Sequence, residues 1–261
     1  MRIPLVQHST RRRRARYRRV LWTGAELLVT GGVLVLLLVA HQLWWTNREA
    51  REGAERRVEA LEREWESGVG ADDGSGDAGG ESGSDGESGS GDRDPARSGG
   101  TTRASSSTPR PSQAYAVLRI PSLGLRVPVA EGTSKQKVLN KGYVGHYAHT
   151  QQPGQAGNFA LAGHRNTHGE PFRYLNHVGK GDKVVVETRD ATYTYVVDKI
   201  LPQTAPRDSG VIQPVPRSLT RPAYGYTTAG HYLTLTTCTP EYTSRFRLVV
   251  WGKLVATQPR A

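Results

Sequence analysis

Residues 232–240 read Tyr232-Leu233-Thr234-Leu235-Thr236-Thr237-Cys238-Thr239-Pro240, and the chain soon resumes as Ser244-Arg245-Phe246-Arg247-Leu248-Val249-Val250-Trp251. The first run alternates with the period-2 spacing of a strand. Leu233 and Leu235 then face a core, and Thr234, Thr236 and Cys238 face the other side. Thr239–Ser244 is a loop of turn-forming length, so the second run returns antiparallel beside the first. Phe246, Leu248 and Val250 share one of its faces, and Arg245, Arg247 and Val249 the other. The pair predicts two neighbouring strands with a thiol at one strand end, next to hydroxyls rather than leucines.

The same texture covers residues 113–261. Ala116–Ile120, Arg126–Val129, Asn158–Ala162, Lys183–Glu187 and Thr192–Asp198 are also apolar or alternating runs. They are punctuated by turn formers such as Pro153-Gly154 and Gly179-Lys180-Gly181-Asp182. Helix is expected only for a turn or two around Ser134–Leu139 and Pro171–Asn176. Eight or so strands with little helix predict a mainly β domain, either a barrel or a sandwich.

Upstream the composition changes three times. Residues 68–112 hold 12 of the chain's 30 glycines among Ser, Asp and Glu. Such a segment buries too little surface to offset its ordering entropy and is expected to be a disordered linker. As a flexible coil it spans on the order of 35–40 Å, which suggests a tether whose use is reach. Residues 46–67 are rich in Glu, Arg and Ala, with Val58, Leu61 and Trp65 at helical spacing, and predict a helical stalk. Residues 21–45 are apolar apart from Glu26, long enough to cross a bilayer, and flanked by Trp22 on one side and Trp44 and Trp45 on the other. Bulky His41–Trp45 replaces the small residues a signal-peptide cleavage site needs, so an uncleaved anchor is expected. Residues 1–20 carry eight arginines and no acid. By the positive-inside rule this tail is cytoplasmic and the β domain extracytoplasmic.

The net charge of +11 is therefore a sum over unlike parts, with about +8 in residues 1–20 and +10 in residues 113–261, separated by a net-acidic linker. A basic domain outside the cell does not suit nucleic acid. No Gly-rich phosphate loop follows a strand, no His-x-x-x-His zinc pair lies next to an acidic base, and there is no Cys pair, so neither cofactor nor metal is expected.

Three side chains invite chemistry. Cys238 is the single cysteine, in a compartment where cysteines are usually paired; it is either buried and inert or a free reactive thiol. Arg247 lies nine residues on, on the returning strand, where a guanidinium can lower a thiol pKa or stabilise an oxyanion; a solvated strand-edge arginine is the plainer alternative. His164 follows the apolar run Asn158–Ala162 and a glycine, a suitable place for a general acid–base group. His146, His149, His168, His177 and His231 compete for that role.

Together these segments resemble the sortase family of membrane-anchored cysteine transpeptidases. The family signature is Thr-Leu-x-Thr-Cys at a strand end, an arginine on the next strand and an upstream histidine. The matching residues are Thr234-Leu235-Thr236-Thr237-Cys238, Arg247 and Ala162-Gly163-His164-Arg165, in that family's order, and the resemblance covers about residues 113–256. Gly157–Phe172 looks most like class E, the actinobacterial housekeeping sortases, with class D second.

The resemblance implies an eight-stranded β-barrel with short helices. It implies Cys238 as nucleophile, His164 as general acid–base and Arg247 as substrate and oxyanion stabiliser. Thr236 and Thr237 would shape the pocket, and Arg245, two residues from Arg247, is a second candidate arginine. It further implies sorting-signal-bearing secreted proteins as donors, with cleavage between Thr and Gly of a Leu-Pro-x-Thr-Gly-like motif, in class E most often Leu-Ala-x-Thr-Gly. The acceptor implied is an amine of a lipid-linked peptidoglycan precursor. A pilus-polymerising sortase, another cell-wall cysteine peptidase and a non-enzymatic scaffold are the alternatives.

Overall fold

A computed structural model describes residues 8–68 and 109–260. Residues 1–7 of the basic tail and 69–108 of the linker lie outside the described residues. Helix α1 runs unbroken from His8 to Glu66. Eight strands follow: β1 (Ala114–Ile120), β2 (Leu125–Glu131), β3 (Val144–His146), β4 (Gly157–Ala162), β5 (Lys183–Thr188), β6 (Ala191–Thr204), β7 (His231–Thr239) and β8 (Phe246–Pro259). They close into a barrel in the order β1-β2-β3-β4-β7-β8-β6-β5. β2–β3 and β4–β7 pair in parallel, and every other neighbouring pair is antiparallel. Closure removes the free edges that an open sheet would expose.

The barrel interior is filled by alternate residues of the strands, among them Leu118, Ile120, Val129, Phe159, Leu161, Val184, Val186, Leu233, Leu235, Leu248 and Val250. A second apolar cluster lies outside the barrel wall, where residues 205–230 fold back over β6, β7 and β8. There Leu201, Tyr232, Val249 and Trp251 pack with Val211 and Tyr226. The indole of Trp251 donates to the Val211 carbonyl at 3.1 Å. β7 is thus buried on both faces, which explains why its outward positions are threonines with bonded hydroxyls rather than solvated polar groups. Thr234 donates to Asn158 Oδ1 at 2.8 Å. Thr236 donates to the Leu161 carbonyl at 3.1 Å and accepts from the Tyr147 hydroxyl at 3.0 Å.

The two halves of α1 meet different surroundings. From Leu21 to Val39 its large apolar side chains, with Trp44 and Trp45, are exposed. This stretch is long and apolar enough to be a candidate membrane span. Beyond it, Ala50, Ala54, Val58 and Leu61 form a buried seam at spacings of four, four and three residues. Val58 and Leu61 pack against Ala114, Val117, Ala130 and Val138 of the domain. The expected stalk is therefore not a free rod but a helix docked on the barrel wall.

That docking changes what the following segment does. Gly68 is held by Arg189 through its carbonyl, and Ser112 donates to the Glu131 carbonyl at 2.8 Å. Gly68 and Ser112, described residues on either side of residues 69–108, both bond to the domain, and α1 itself connects the barrel wall to the candidate span.

The helical turns expected around 134–139 and 171–176 are realised as turns followed by short 3-10 helices, Leu139–Lys141 and Leu175–His177. The first stops at Gly142, whose φ is +79°, and a Cβ there would lie 2.7 Å from the Ala50 carbonyl oxygen of α1. Strand β3 was not anticipated, because three residues are too few to carry a period.

Candidate active site

The parallel pairing of β4 with β7 builds the site. Ala162 registers with Thr236, and the Gly163 amide donates to the Thr236 carbonyl at 3.1 Å. Two residues beyond that pair on each strand come His164 and Cys238. Thr237 ties the two strand ends again by donating to the Gly163 carbonyl at 2.8 Å. Gly163 permits the close approach: a Cβ there would meet the Phe172 ring at 2.6 Å.

On the other side, β7 and β8 place Cys238 directly opposite Arg247. Cross-strand partners have Cβ atoms about 4.5–5.5 Å apart, so the thiol and the root of the guanidinium are immediate neighbours. The guanidinium turns back onto its own loop, where Nη1 donates to the carbonyls of Ser244 and Phe246, both at 2.9 Å. Among the described residues its Nε and Nη2 make no bond. Arg245 lies before β8 begins, exposed, with its guanidinium 5.3 Å from the centre of the Phe246 ring.

A groove of about 180 Å³ opens along the outer face of these strands. Tyr147, Thr236 and Arg247 line one side, and residues 204–209 with Val211 and Ile212 line the other. Cys238 shares the outward face of Thr236 and is half-buried, with its thiol unpaired. Thr237 points to the opposite face. Of the two threonines expected at the pocket, one forms its wall and the other locks the strand ends beneath it.

The far wall is held by Asp208, which is buried. It accepts hydrogen bonds from the hydroxyls of Thr204, Ser218 and Thr220 and from the Leu219 amide. Burial pushes its carboxyl up, but these donors outweigh burial and hold it below the usual carboxylate range.

His164 is only partly exposed, and its Nε2 lies 3.0 Å from Asn140 Oδ1. Its ring stacks on His168 with centroids 5.5 Å apart. Burial, with the charges of His168 and Lys135, pulls its pKa down to about 4. The imidazole is therefore neutral at pH 7, and the Asn140 bond requires Nε2 to carry the proton.

Three of the competing histidines are engaged elsewhere. His146 is buried, with Nδ1 2.7 Å from Glu131 Oε2 and Nε2 2.9 Å from the Thr150 hydroxyl. His177 stacks on Tyr174, and His231 Nδ1 sits 2.9 Å from the Gly154 carbonyl.

Two residues at the site escaped the sequence reading. Arg165 is buried and donates to the Cys238 carbonyl at 3.3 Å, to Thr239 Oγ1 at 3.0 Å and to Asn176 Oδ1 at 3.0 Å. It clamps the backbone that carries the thiol. Asn140 fixes the His164 ring. The Arg165 contacts to Cys238 and Thr239 span more than seventy residues and the Asn140–His164 contact spans 24; the one available hint for Arg165 is its place beside His164.

The arrangement joins a half-buried thiol, a neutral imidazole on the adjacent strand end and a guanidinium across the strand pair; of the three, Arg247 lines the groove, and Cys238 follows the groove residue Thr236 on the same strand face. Comparison with known proteins bears on what such a site does. A family model described as the sortase domain matches residues 118–255. Sortase SrtE1 of Streptomyces coelicolor is 43% identical over 241 residues, covering 90% of this chain and 57% of that protein. Sortase SrtE2 of the same organism is 34% identical over 238 residues, covering 89% and 81%. The crystal structure of Sortase E1 from Streptomyces coelicolor with a tripeptide in the active site superposes with a TM-score of 0.54 at 51% identity, covering 59% of this chain and 94% of that one. The chain thus spans little more than half the length of the full SrtE1 protein.

Proposed function

The chain belongs to the sortase family, with class E members among its relatives, and from that premise we propose that it is a membrane-anchored transpeptidase. It cleaves a C-terminal sorting signal of Leu-Pro-x-Thr-Gly type, with alanine in place of the proline, between Thr and Gly. The acyl group is then transferred to an amine of a peptidoglycan precursor. The observation that carries this reading is the β4–β7–β8 register, which brings the end of the His164 strand and Arg247 to either side of Cys238.

The roles follow from the resting state. His164, neutral at pH 7, takes the thiol proton as Sγ of Cys238 attacks the threonine carbonyl carbon. The carbonyl oxygen gains negative charge, and Arg247 swings its unbonded donors from the loop to meet it. As the C–N bond to glycine breaks, the imidazolium gives its proton to the departing amine, leaving a thioester. The incoming amine attacks that thioester, His164 takes the amine proton, and the thiolate leaves and is reprotonated. Neither Thr236 nor Thr237 loses a proton in this scheme: Thr236 lines the groove and Thr237 holds its floor. Arg245, exposed and outside β8, contributes at most to substrate held at the groove mouth.

The exposed apolar half of α1 is the anchor, with the arginine-rich end cytoplasmic and the barrel outside. The acceptor is then a lipid-linked precursor amine at the outer surface. The test is to incubate the full chain in detergent or lipid with a small library of sorting peptides and an amine, and to read products by mass. A threonyl-amide product from wild type and none from Cys238→Ala is expected. Product formation by Cys238→Ala would overturn the reading.

A further inference from the structure

The loop between His164 and Phe172 contains three successive residues in the left-handed region: His168 at φ +52°, Gly169 at +81° and Glu170 at +52°. Two of the three are not glycine. A backbone of that kind persists only where its surroundings over-determine it. The surroundings here come from outside the barrel. Asn47 of α1 donates to Glu170 Oε1 at 2.7 Å, and Arg51 of α1 donates to Glu170 Oε2 at 3.0 Å and to the Gly169 carbonyl at 3.1 Å. The Gly169 amide in turn lies 3.4 Å from Asn47 Oδ1.

Glu170 is 6% exposed and is the centre of this knot. It also accepts from Arg173 at 2.6 Å. Arg173 reaches on to Glu241 and to the Tyr242 hydroxyl, both at 3.0 Å, in the loop that follows Cys238. The knot therefore touches both arms of the site. On one arm, His168 stacks on His164. On the other, Arg173 holds the β7–β8 loop. Helix α1 also lies over Gly142, next to the short 3-10 helix that carries Asn140, the partner of His164.

The knot is separable from the docking seam. A cavity of about 290 Å³, lined by Arg51, Ala54, Leu125, Val127, Gly169 and Glu170 among others, lies between helix and barrel at this level. The apolar grip comes further along, at Val58 and Leu61. Buried Ala50 and Ala54 continue that apolar seam toward the site, and Asn47 and Arg51 add the polar contacts to the loop.

We propose that Glu170 is a positioning residue for the transfer reaction, through which the docked half of α1 holds the His164 loop and the loop beyond Cys238 in their working relation. The proposal rests on the transpeptidase reading above. It makes the helix that leaves the candidate span a part of the active-site scaffold.

The test uses the full chain. Steady-state kinetics with a sorting peptide are measured for wild type, Glu170→Ala, Glu170→Gln, the double variant Asn47→Ala with Arg51→Ala, and Val58→Ala. The rate of Cys238 alkylation by iodoacetamide is followed against pH for each. The groups facing the reacting pair are Arg247, Arg165, His168, Lys135 and Asn140; none is altered. Glu170→Ala and the helix-side double variant are expected to lower kcat about ten-fold with KM within two-fold, and to shift the alkylation profile. Glu170→Gln, which still accepts from Asn47, recovers part of the loss. Val58→Ala lowers Tm and leaves kcat and the profile in place.

Wild-type kcat and alkylation in Glu170→Ala would overturn the proposal. So would a kcat loss of equal size in Val58→Ala, which would make the effect one of general loosening. If Glu170→Ala does not fold, the helix-side double variant, whose residues lie on the barrel's outside, decides alone, and wild-type behaviour there rejects the role of α1. If wild type cleaves no peptide, the transpeptidase reading fails, while the alkylation profiles still report whether Glu170 places the thiol and imidazole.

Discussion

Strand β7 carries Leu233, Leu235 and Thr237 on its inward face and Thr234, Thr236 and Cys238 on its outward face. The inward leucines are buried in the barrel among apolar partners from the other strands. The outward residues are nearly as buried until Cys238, but they are held by hydroxyl bonds beneath residues 205–230. Packing sets the inward leucines; directional bonds set the outward threonines and the strand end at Thr237. A strand anchored by both keeps the Cys238 thiol at a defined height without using that thiol as an anchor.

The largest test of that division is Cys238→Ala. It should abolish transfer while leaving Tm within a degree or two, because a half-buried thiol with no partner contributes little packing. A marked fall in Tm would mean that Cys238 belongs to the structural face after all. Leu235→Ala probes the other side. A buried leucine truncated to alanine costs about 2–5 kcal/mol, so urea unfolding should show a large drop in midpoint. A loss well under 1 kcal/mol would break the claim that this face carries the stability. Thr237→Val is smaller: it leaves the Gly163 carbonyl without its hydroxyl donor, worth roughly 1–2 kcal/mol. It should also lower kcat, since Gly163 precedes His164. Loss of stability with unchanged kcat would show that the strand-end tie is structural only.

A further effect is one of pH. His164 is held near 4 when folded, against about 6.5 when unfolded. The unfolded chain therefore takes up a proton first as pH falls. Stability declines from about pH 6.5 down to about 4 and is flat with respect to this group at higher pH. His164→Asn should flatten that part of the Tm–pH curve. In the Cys238→Ala protein, NMR should place the imidazole titration well below its ordinary value; a midpoint near 6.5 would contradict the buried, His168- and Lys135-flanked environment. In the wild-type enzyme the thiol and imidazole titrate as a coupled pair, so the activity profile reports the pair.

How much of this was legible beforehand depends on sequence distance. The β7–β8 pair could be read directly, because a short loop and two clean alternations fix both the strand direction and the proximity of Arg247 to Cys238. The meeting of β4 with β7 could not, since a parallel pairing across some seventy residues leaves no local trace, and His164 was one histidine among several until the family resemblance singled it out. Arg165 and Glu170 were missed for the same reason. Each acts through partners remote in the chain, and a buried charge looks like any other charge in a sequence. The helix seam was half read: Val58, Leu61 and Trp65 showed the spacing, but nothing in the spacing says that the barrel of the same chain is what covers it. Ala50 and Ala54, which extend the seam toward the site, are too small to stand out as apolar markers.

The unbroken course of α1 has one further consequence. A helix advances about 1.5 Å per residue, so Asn47 lies roughly 3 Å and Arg51 roughly 9 Å beyond Trp45 along its axis. Those are the residues that grip Gly169 and Glu170. The His164 loop is thus gripped within about two helical turns of Trp44 and Trp45, where the exposed apolar stretch ends. The docked helix, rather than a flexible tether, then fixes how far the candidate site stands from the exposed apolar stretch.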